Sequence, residues 1–351
     1  MKIHNFSAGP SILPQEVIKK SAEAVLNLDN SGLSLIEISH RSAAFISIMD
    51  EAQNLVKELL KLPEGYSVLF LQGGASSQFL AVAQNLLKEN GKAAYLDTGA
   101  WSAKALKEAK LFGDVEIVAS SKDKNHTYIP KGFSIPQDAN YLHLTSNNTI
   151  FGTQIKNFPD TDIPLVCDMS SDIFSRELDF SKFDIVYAGA QKNMGPAGTV
   201  LVIVKDEILG KSERQIPSML DYQIHASKDS MFNTPPVFAI YTSMLTLQWI
   251  KNLGGIAAVE KQNEAKAAIL YNEIDSNPKF NGVAAKEDRS LMNVTFTLTD
   301  QNDKERFDML AKEAGMSGIN GHRSVGGYRA SIYNAMPIES VQALVDVMQK
   351  L

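Results

Sequence analysis

SVLFLQGGASSQFLAVAQNLL, residues 67–87, reads as an apolar run, a glycine pair and an amphipathic stretch. Those three patterns specify a strand, a glycine turn and a helix, in that order. Short apolar runs then recur: KAAYLDTG from Lys92, DVEIVAS from Asp114, YLHLTS from Tyr141, PLVCDMS from Pro164 and DIVYAGA from Asp184. TVLVIVK, from Thr199, returns as a strand beside the last of them. Runs this short and this apolar belong in a sheet covered on both faces. The expectation is an α/β fold built on a mostly parallel sheet of seven strands.

Outward from that core, Pro14 opens a helix through VIKKSAEAVLNL, and a second helix runs from about Ser42 to Leu60. The segment from about Lys211 to Pro236 is irregular, and structureless loops of that length tend to be functional or disordered. A long helical region follows from Val237 to Asp275, with a break expected at Gly254-Gly255. Beyond Asn277-Pro278 the character changes. LMNVTFTLTD, residues 291–300, alternates like a strand with one solvated face, and a helix, a glycine-rich loop and an amphipathic helix from about Ile338 complete the chain. The division expected is an N-terminal arm (1–14), a large α/β domain (15–254) and a smaller α+β C-terminal domain (255–351).

Composition narrows the class. Hydrophobic residues at 44% and charged residues at 21% of 351 are globular values, and a net charge of -6 offers no basic field for nucleic acid. The one cysteine, Cys167, leaves no internal disulfide and fits a reducing cytosol. No apolar run reaches membrane-spanning length, and MKIHNFSAGPSILPQE lacks the apolar core of a secretory signal. A soluble cytoplasmic protein with no nucleic-acid or membrane partner is expected.

The chemistry should lie at the carboxyl ends of the strands, where open α/β sheets bind ligands. Gly73 to Phe79, GGASSQF, lets the backbone approach a ligand and offers free N–H groups at a helix start. It carries no Walker lysine and is not G-x-G-x-x-G, so it is equally a plain turn or an anion cradle and no nucleotide signature. Asp168 closes PLVCD. As a lone aspartate it caps the next turn; as a functional group it pairs with a protonated pyridine nitrogen, so that the ring can accept electrons from a carbanion. Lys192, in AGAQKNMGPAG, is either an ordinary solvated charge or an amine held in a partly desolvated cleft. Desolvation lowers an amine's pKa, and a neutral amine is what forms a Schiff base. It follows Asp168 by 24 residues (192 − 168), about one strand-to-strand excursion, so one strand end offers the nitrogen partner and the next the amine. Cys167, inside an apolar strand, reads as packing.

Together with NFSAGPS near the start, ISHRS (38–42), DTGAWS (97–102), MFNTPP and GHRSVGGYRASIYNAMP (321–337), these segments resemble fold-type I pyridoxal-phosphate enzymes. Among those, the chain is similar along essentially its whole length to the phosphoserine aminotransferase family, a class-V group. The resemblance implies pyridoxal 5'-phosphate as cofactor, Lys192 as the lysine that holds it, and Asp168 as the carboxylate on its ring nitrogen. It implies Trp101 as the stacking aromatic, Thr149 as the hydroxyl at the phenolic oxygen, and Ala75, Ser76 and Gln191 as phosphate contacts. Asn233 and Thr234 would reach the phosphate from the second subunit of a homodimer, which makes the irregular segment before them interface and active-site wall. Some members carry arginine where this chain has Ser76, which removes one positive charge near the substrate.

The residues themselves point to an acidic substrate. His40-Arg41 and His322-Arg323 repeat one dipeptide in loop-like segments, and Arg329 follows Arg323 within a glycine-rich stretch. Either pair alone would read as solvated surface; two suggest converging anion sites, because arginine binds carboxylate and phosphate through parallel hydrogen bonds. The resemblance implies Arg329 on the α-carboxylate, and His40, Arg41, His322 and Arg323 on the distal anion, some from the partner subunit. Ser7 would touch the amino donor. The reaction implied is a metal-free ping-pong transfer from L-glutamate to 3-phosphohydroxypyruvate that yields O-phosphoserine and 2-oxoglutarate for serine biosynthesis. 4-Phosphohydroxythreonine of vitamin B6 synthesis is a further substrate in relatives. The competing readings are another fold-type I aminotransferase with a different small acidic amino acid, a catalytically silent scaffold, and a Rossmann dehydrogenase, which the missing glycine fingerprint disfavours.

Overall fold

The computed structural model describes residues 2–351. A two-residue strand β1 (His4–Asn5) precedes helix α1 (Gln15–Leu26), whose N-cap is Pro14. Helix α2 (Ala43–Leu59) starts where the Ser42 hydroxyl accepts from the Phe45 N–H, which satisfies one of the free donors of the first turn. Strand β2 (Tyr66–Gly73) turns at Gly73, φ +98°, into α3 (Ala75–Leu86). Only glycine takes that φ at little cost, so the glycine pair sets the strand-to-helix corner.

Next come β3 (Lys92–Asp97), α4 (Ala100–Ala109), β4 (Asp114–Ser120) and β5 (Leu142–Thr145), followed by a short antiparallel pair, β6 (Asn147–Asn148) and β7 (Thr153–Gln154). Strands β8 (Leu165–Asp168), β9 (Ile185–Gly189) and β10 (Gly198–Lys205) complete the main sheet. Its order is β2-β10-β9-β8-β5-β3-β4, with β10 alone antiparallel to its neighbours. The mostly parallel seven-stranded sheet expected from the sequence is therefore present.

The period-two pattern of each strand sorts its side chains between two cores. Val68, Phe70, Leu165, Cys167, Val186, Ala188, Leu201 and Ile203 pack on one face with α2 and with α6 (Val237–Asn252). Leu69, Leu71, Val166, Ile185, Tyr187, Val200 and Val202 pack on the other with α3 and α4. A one-residue slip in any strand would exchange the two sets, so packing on both faces fixes the register.

Between β10 and α6 the irregular segment holds one short helix, α5 (Tyr222–Ala226). Gly254 and Gly255, φ +104° and +78°, make the break before α7 (Gly255–Ser276). Strands β11 (Phe280–Gly282) and β12 (Asn293–Leu298), helix α8 (Lys304–Glu313), strands β13 (Met316–Ser317) and β14 (Tyr328–Ser331) and helix α9 (Ile338–Met348) follow. β11, β12 and β14 form a three-stranded antiparallel sheet. A third core combines it with α7, α8, α9 and Phe6 of the arm, and β1 pairs with β13.

One expectation fails here. β12 lacks the solvated face expected: on its polar side Asn293 and Thr295 are buried and only Thr297 is half-buried. The Thr295 hydroxyl donates to the Phe151 carbonyl at 2.9 Å, and the Asn293 Oδ1 accepts from the Asn147 Nδ2 at 2.8 Å. The alternation is real, but its polar half meets the neighbouring unit through hydrogen bonds instead of meeting water.

Candidate active site

After β3 the chain runs outward to β4 at the edge, then returns to β5 and continues to β8 and β9 on the other side. That reversal is the switch point at which the carboxyl ends leave a crevice. A cleft of about 650 Å³ opens there.

Lys192 stands three residues past β9, in a turn closed by the Met194 and Gly195 N–H groups, which both donate to the Ala190 carbonyl, at 3.2 and 2.7 Å. The arm holds this turn from outside. The Ser11 N–H donates to the Gln191 carbonyl at 2.9 Å, and the Ser11 hydroxyl donates to the Lys192 carbonyl. At Gly9 a Cβ would stand 3.4 Å from the Lys192 Cγ, so the glycine leaves the lysine its room.

Asp168 ends the adjacent parallel strand β8, in register with Tyr187. Its Oδ1 accepts the Ser170 N–H at 2.9 Å, and its Oδ2 accepts from no group among the described residues. Burial raises the Asp168 pKa, and the nearby Lys192 charge pulls it back. Burial lowers the Lys192 pKa, and Asp168 and then Asp172 oppose that. Each group pays for its own desolvation and stabilises the other's charge.

Trp101, in the first turn of α4, lies with its ring centroid 5.5 Å from the Lys192 Nζ. Its indole N–H donates to the Thr149 hydroxyl at 3.0 Å, which leaves that hydroxyl's own proton free. Arg329, on β14, donates from Nη1 to the Thr149 carbonyl at 3.2 Å, while its buried Nε has no partner among the described residues. Ala75 and Ser76 bring the first turn of α3 to the same wall, and Gln191, His322 and Arg323 also line it.

Ten of the residues expected from the sequence thus converge: Ala75, Ser76, Trp101, Thr149, Asp168, Gln191, Lys192, His322, Arg323 and Arg329. Five do not line this chain's cleft. Ser7 packs against Gly318, and His40 and Arg41 sit on the loop before α2, half-buried and exposed. Asn233 and Thr234 are exposed beside the end of β2, where the Gln72 Nε2 donates to the Thr234 carbonyl at 2.5 Å.

The sequence reading missed Lys104, Thr145, Asn147, Ser170 and Ser171, all on the cleft wall. Thr145 closes β5, so the strand-end rule could have found it. Ser170 and Ser171 follow Asp168 directly. Lys104 is three residues beyond Trp101 on one helix face, a spacing that was there to be read. Asp168 is the only carboxylate lining the cleft among the described residues, against Lys104, Lys192, Arg323 and Arg329. Such a field favours an anionic occupant.

The class-V aminotransferase family model matches residues 3–344. The phosphoserine aminotransferase of Flavobacterium johnsoniae is 70% identical, across 100% of this chain and 99% of its own length. Among solved structures, the phosphoserine aminotransferase of Bacillus circulans subsp. alkalophilus superposes with a TM-score of 0.97 at 45% identity, covering 99% of this chain and 98% of that one. The pyridoxal-phosphate-bound phosphoserine aminotransferase of Trichomonas vaginalis superposes with a TM-score of 0.93 at 38% identity, covering 99% and 100%.

Proposed function

This chain belongs to the class-V aminotransferases, within the phosphoserine aminotransferase family, and on that premise we propose that it moves the amino group of L-glutamate to 3-phosphohydroxypyruvate. The products are O-phospho-L-serine and 2-oxoglutarate. The observation that carries this reading is the pairing of a desolvated Lys192 amine and a buried Asp168 carboxylate at neighbouring strand ends, in a cleft whose other charges are cations.

Members of the family use pyridoxal 5'-phosphate, and the residues present fit it. Burial lowers the Lys192 pKa, so its amine is a better nucleophile toward an aldehyde than a free lysine. The Asp168 Oδ2 is unshared, as a partner for a ring N–H must be. The free N–H groups of Ala75 and Ser76 suit a phosphate at a helix start, Gln191 borders it, and Trp101 offers a flat apolar face. Thr149 has a spare hydroxyl proton for the phenolic oxygen. When bound, the cofactor supplies the electron sink and stores the amino group between half-reactions.

The chain's own residues do the rest. Arg329 orients the substrate α-carboxylate, its Nε being buried and unpartnered. With Arg329 and Lys192 lining one cleft, that would turn the Cα–H toward Lys192. The Nζ of Lys192, its pKa lowered by burial, would take the Cα proton and hold it for return, as general base and then acid. Asp168 would supply the carboxylate that favours a protonated ring nitrogen. His322 and Arg323 hold the distal anion, which is phosphate for one substrate and the γ-carboxylate for the other.

The reading extends to a homodimer with shared sites. His40, Arg41, Asn233, Thr234 and Ser7, which this chain's own cleft leaves out, are the groups assigned to the neighbouring subunit's site and to the amino donor. It extends also to a cytoplasmic role in serine biosynthesis, to 4-phosphohydroxythreonine as a second substrate, and to domains of 15–254 and 255–351 behind an arm of 1–14. The separate third core and the Gly254-Gly255 break support that division. No helix among the described residues is long and apolar enough to cross a membrane. The test is turnover: with L-glutamate and 3-phosphohydroxypyruvate, the holoenzyme should release one 2-oxoglutarate per O-phosphoserine. No 2-oxoglutarate would overturn the substrate assignment.

A further inference from the structure

We propose that Lys104 is a specificity-determining residue of the cleft, a mobile cation that meets the substrate's distal phosphate and supplies a positive charge on the wall where Ser76 supplies none. This inference rests on the phosphorylated-substrate reading above.

Three observations converge on Lys104. First, position: Ala100, Trp101 and Lys104 of α4 line the cleft, whereas Lys107 of the same helix and Lys110, which caps its end, do not. The i, i+3 spacing puts Trp101 and Lys104 on one face, so Lys104 enters the site wherever Trp101 does. Second, its partners: the Lys104 Nζ rests 4.5 Å from the Trp101 ring centroid and makes no ion pair among the described residues, whereas Lys88, Lys92, Lys182 and Lys205 each find a carboxylate. An ammonium parked over an indole gives up little when an anion arrives. Third, its surroundings: Lys104 shares the cleft with His322 and Arg323, and its charge, after those of Arg329 and Arg323, helps burial to depress the His322 pKa. The group is therefore close enough to the histidine–arginine pair to act on the same anion.

The chemistry differs from that of an arginine. A lysine offers a point charge on a flexible stem instead of a planar fork. It can follow a phosphate dianion closely and relax when the smaller, singly charged γ-carboxylate of glutamate takes its place. Loss of Lys104 should therefore penalise the phosphorylated substrate more than glutamate.

The experiment compares holoenzyme of the parent with Lys104→Met, Lys104→Arg and, as a same-helix control, Lys107→Met. Steady-state kinetics on O-phosphoserine and on L-glutamate give the ratio of kcat/KM, and inorganic phosphate serves as an inhibitor of the glutamate half-reaction. Lys104→Met should lower the phosphoserine-to-glutamate ratio and raise the phosphate inhibition constant, each roughly 5- to 10-fold. Lys104→Arg should recover most of both, and Lys107→Met should change neither. An unchanged cofactor absorbance band separates this result from a general disturbance of Trp101. If Lys104→Met keeps both quantities within twofold of the parent, the proposal is overturned. If the parent itself fails to turn over phosphoserine, the substrate reading falls, and the phosphate inhibition constant still decides whether Lys104 meets an anion.

Discussion

Asp168 caps a turn and leaves an oxygen for the proposed second role at one position. One carboxylate oxygen caps the following turn through the Ser170 N–H, as an ordinary aspartate at a strand end would, and the other is left unshared at the cleft. The plain reading holds through one oxygen, and the proposed role would use the other, because a carboxylate has two. Asp168→Asn keeps the turn acceptor but removes the charge that holds a ring nitrogen protonated. It should lower kcat on the order of 100-fold, the scale for losing one preorganised electrostatic partner, with a melting temperature close to the parent's. Stopped-flow turnover beside thermal unfolding checks this; a variant with parental kcat would show that Asp168 is only a cap. Lys192 shows the complementary lesson. Its burial lowers its pKa, but the buried Lys266 is lowered too, to about 7, and that amine spends its hydrogens on the Ile332 and Tyr333 carbonyls. A displaced pKa marks a site only where a cleft and a partner accompany it.

At the scale of elements, the loop Ala190–Gly195 must sit close against α6. A Cβ at Gly195 would run into the Ser243 hydroxyl and stand 3.3 Å from the Ser243 Cα. Gly195→Ala should therefore displace the loop, cost about 1–3 kcal/mol of stability as overpacking does, and weaken cofactor retention because Lys192 rides on the same turn. Dialysis against buffer followed by absorbance measures the retention; an unshifted loop would keep the cofactor as the parent does. Most of the main strands were legible in the sequence because both of their faces are buried, and glycines or aspartates stop β2, β3, β8 and β9; the edge strand β4 departs from this, with every side chain exposed or half-buried. The α2 boundary was legible from Ser42, and the α6–α7 break from Gly254-Gly255. β12 was misread because period-two alternation shows only that two faces differ. What covers the polar face, here Asn147 and the Phe151 carbonyl, is set by a packing of distant segments that no local window contains. Lys104 escaped for a simpler reason: the pattern was read as far as Ser102, and helical spacing carries the same face one residue pair further.

Across the molecule, buried polar contacts join the two parts that form the cleft. Asn147 bonds Asn293, Asn193 bonds the Asn334 N–H, and the Tyr333 hydroxyl donates to the Ala8 carbonyl of the arm. Lys266 of α7 belongs to this junction, since its two carbonyl partners directly follow the strand of Arg329. Its folded pKa of about 7 lies below the unfolded value of about 10.4. Between those values the unfolded chain binds a proton that the folded chain has shed, so stability rises with pH there by at most about 1.4 kcal/mol per unit. Below about pH 7 both states are charged and the penalty is constant. Lys266→Met should remove this rise. Urea unfolding of parent and variant between pH 7 and pH 9 should show curves that diverge in the parent's favour as pH increases; parallel curves would mean that Lys266 stays charged in the fold.

Every step of the proposed chemistry turns on Lys192 being the amine that holds the cofactor. Borohydride reduction of the holoenzyme followed by peptide mapping tests this without reference to any substrate. The pyridoxyl mass should appear on the peptide that carries Lys192 and on no peptide that carries Lys104 or Lys266. A label on either of those, or an unlabelled Lys192 in an enzyme that still turns over, would contradict it.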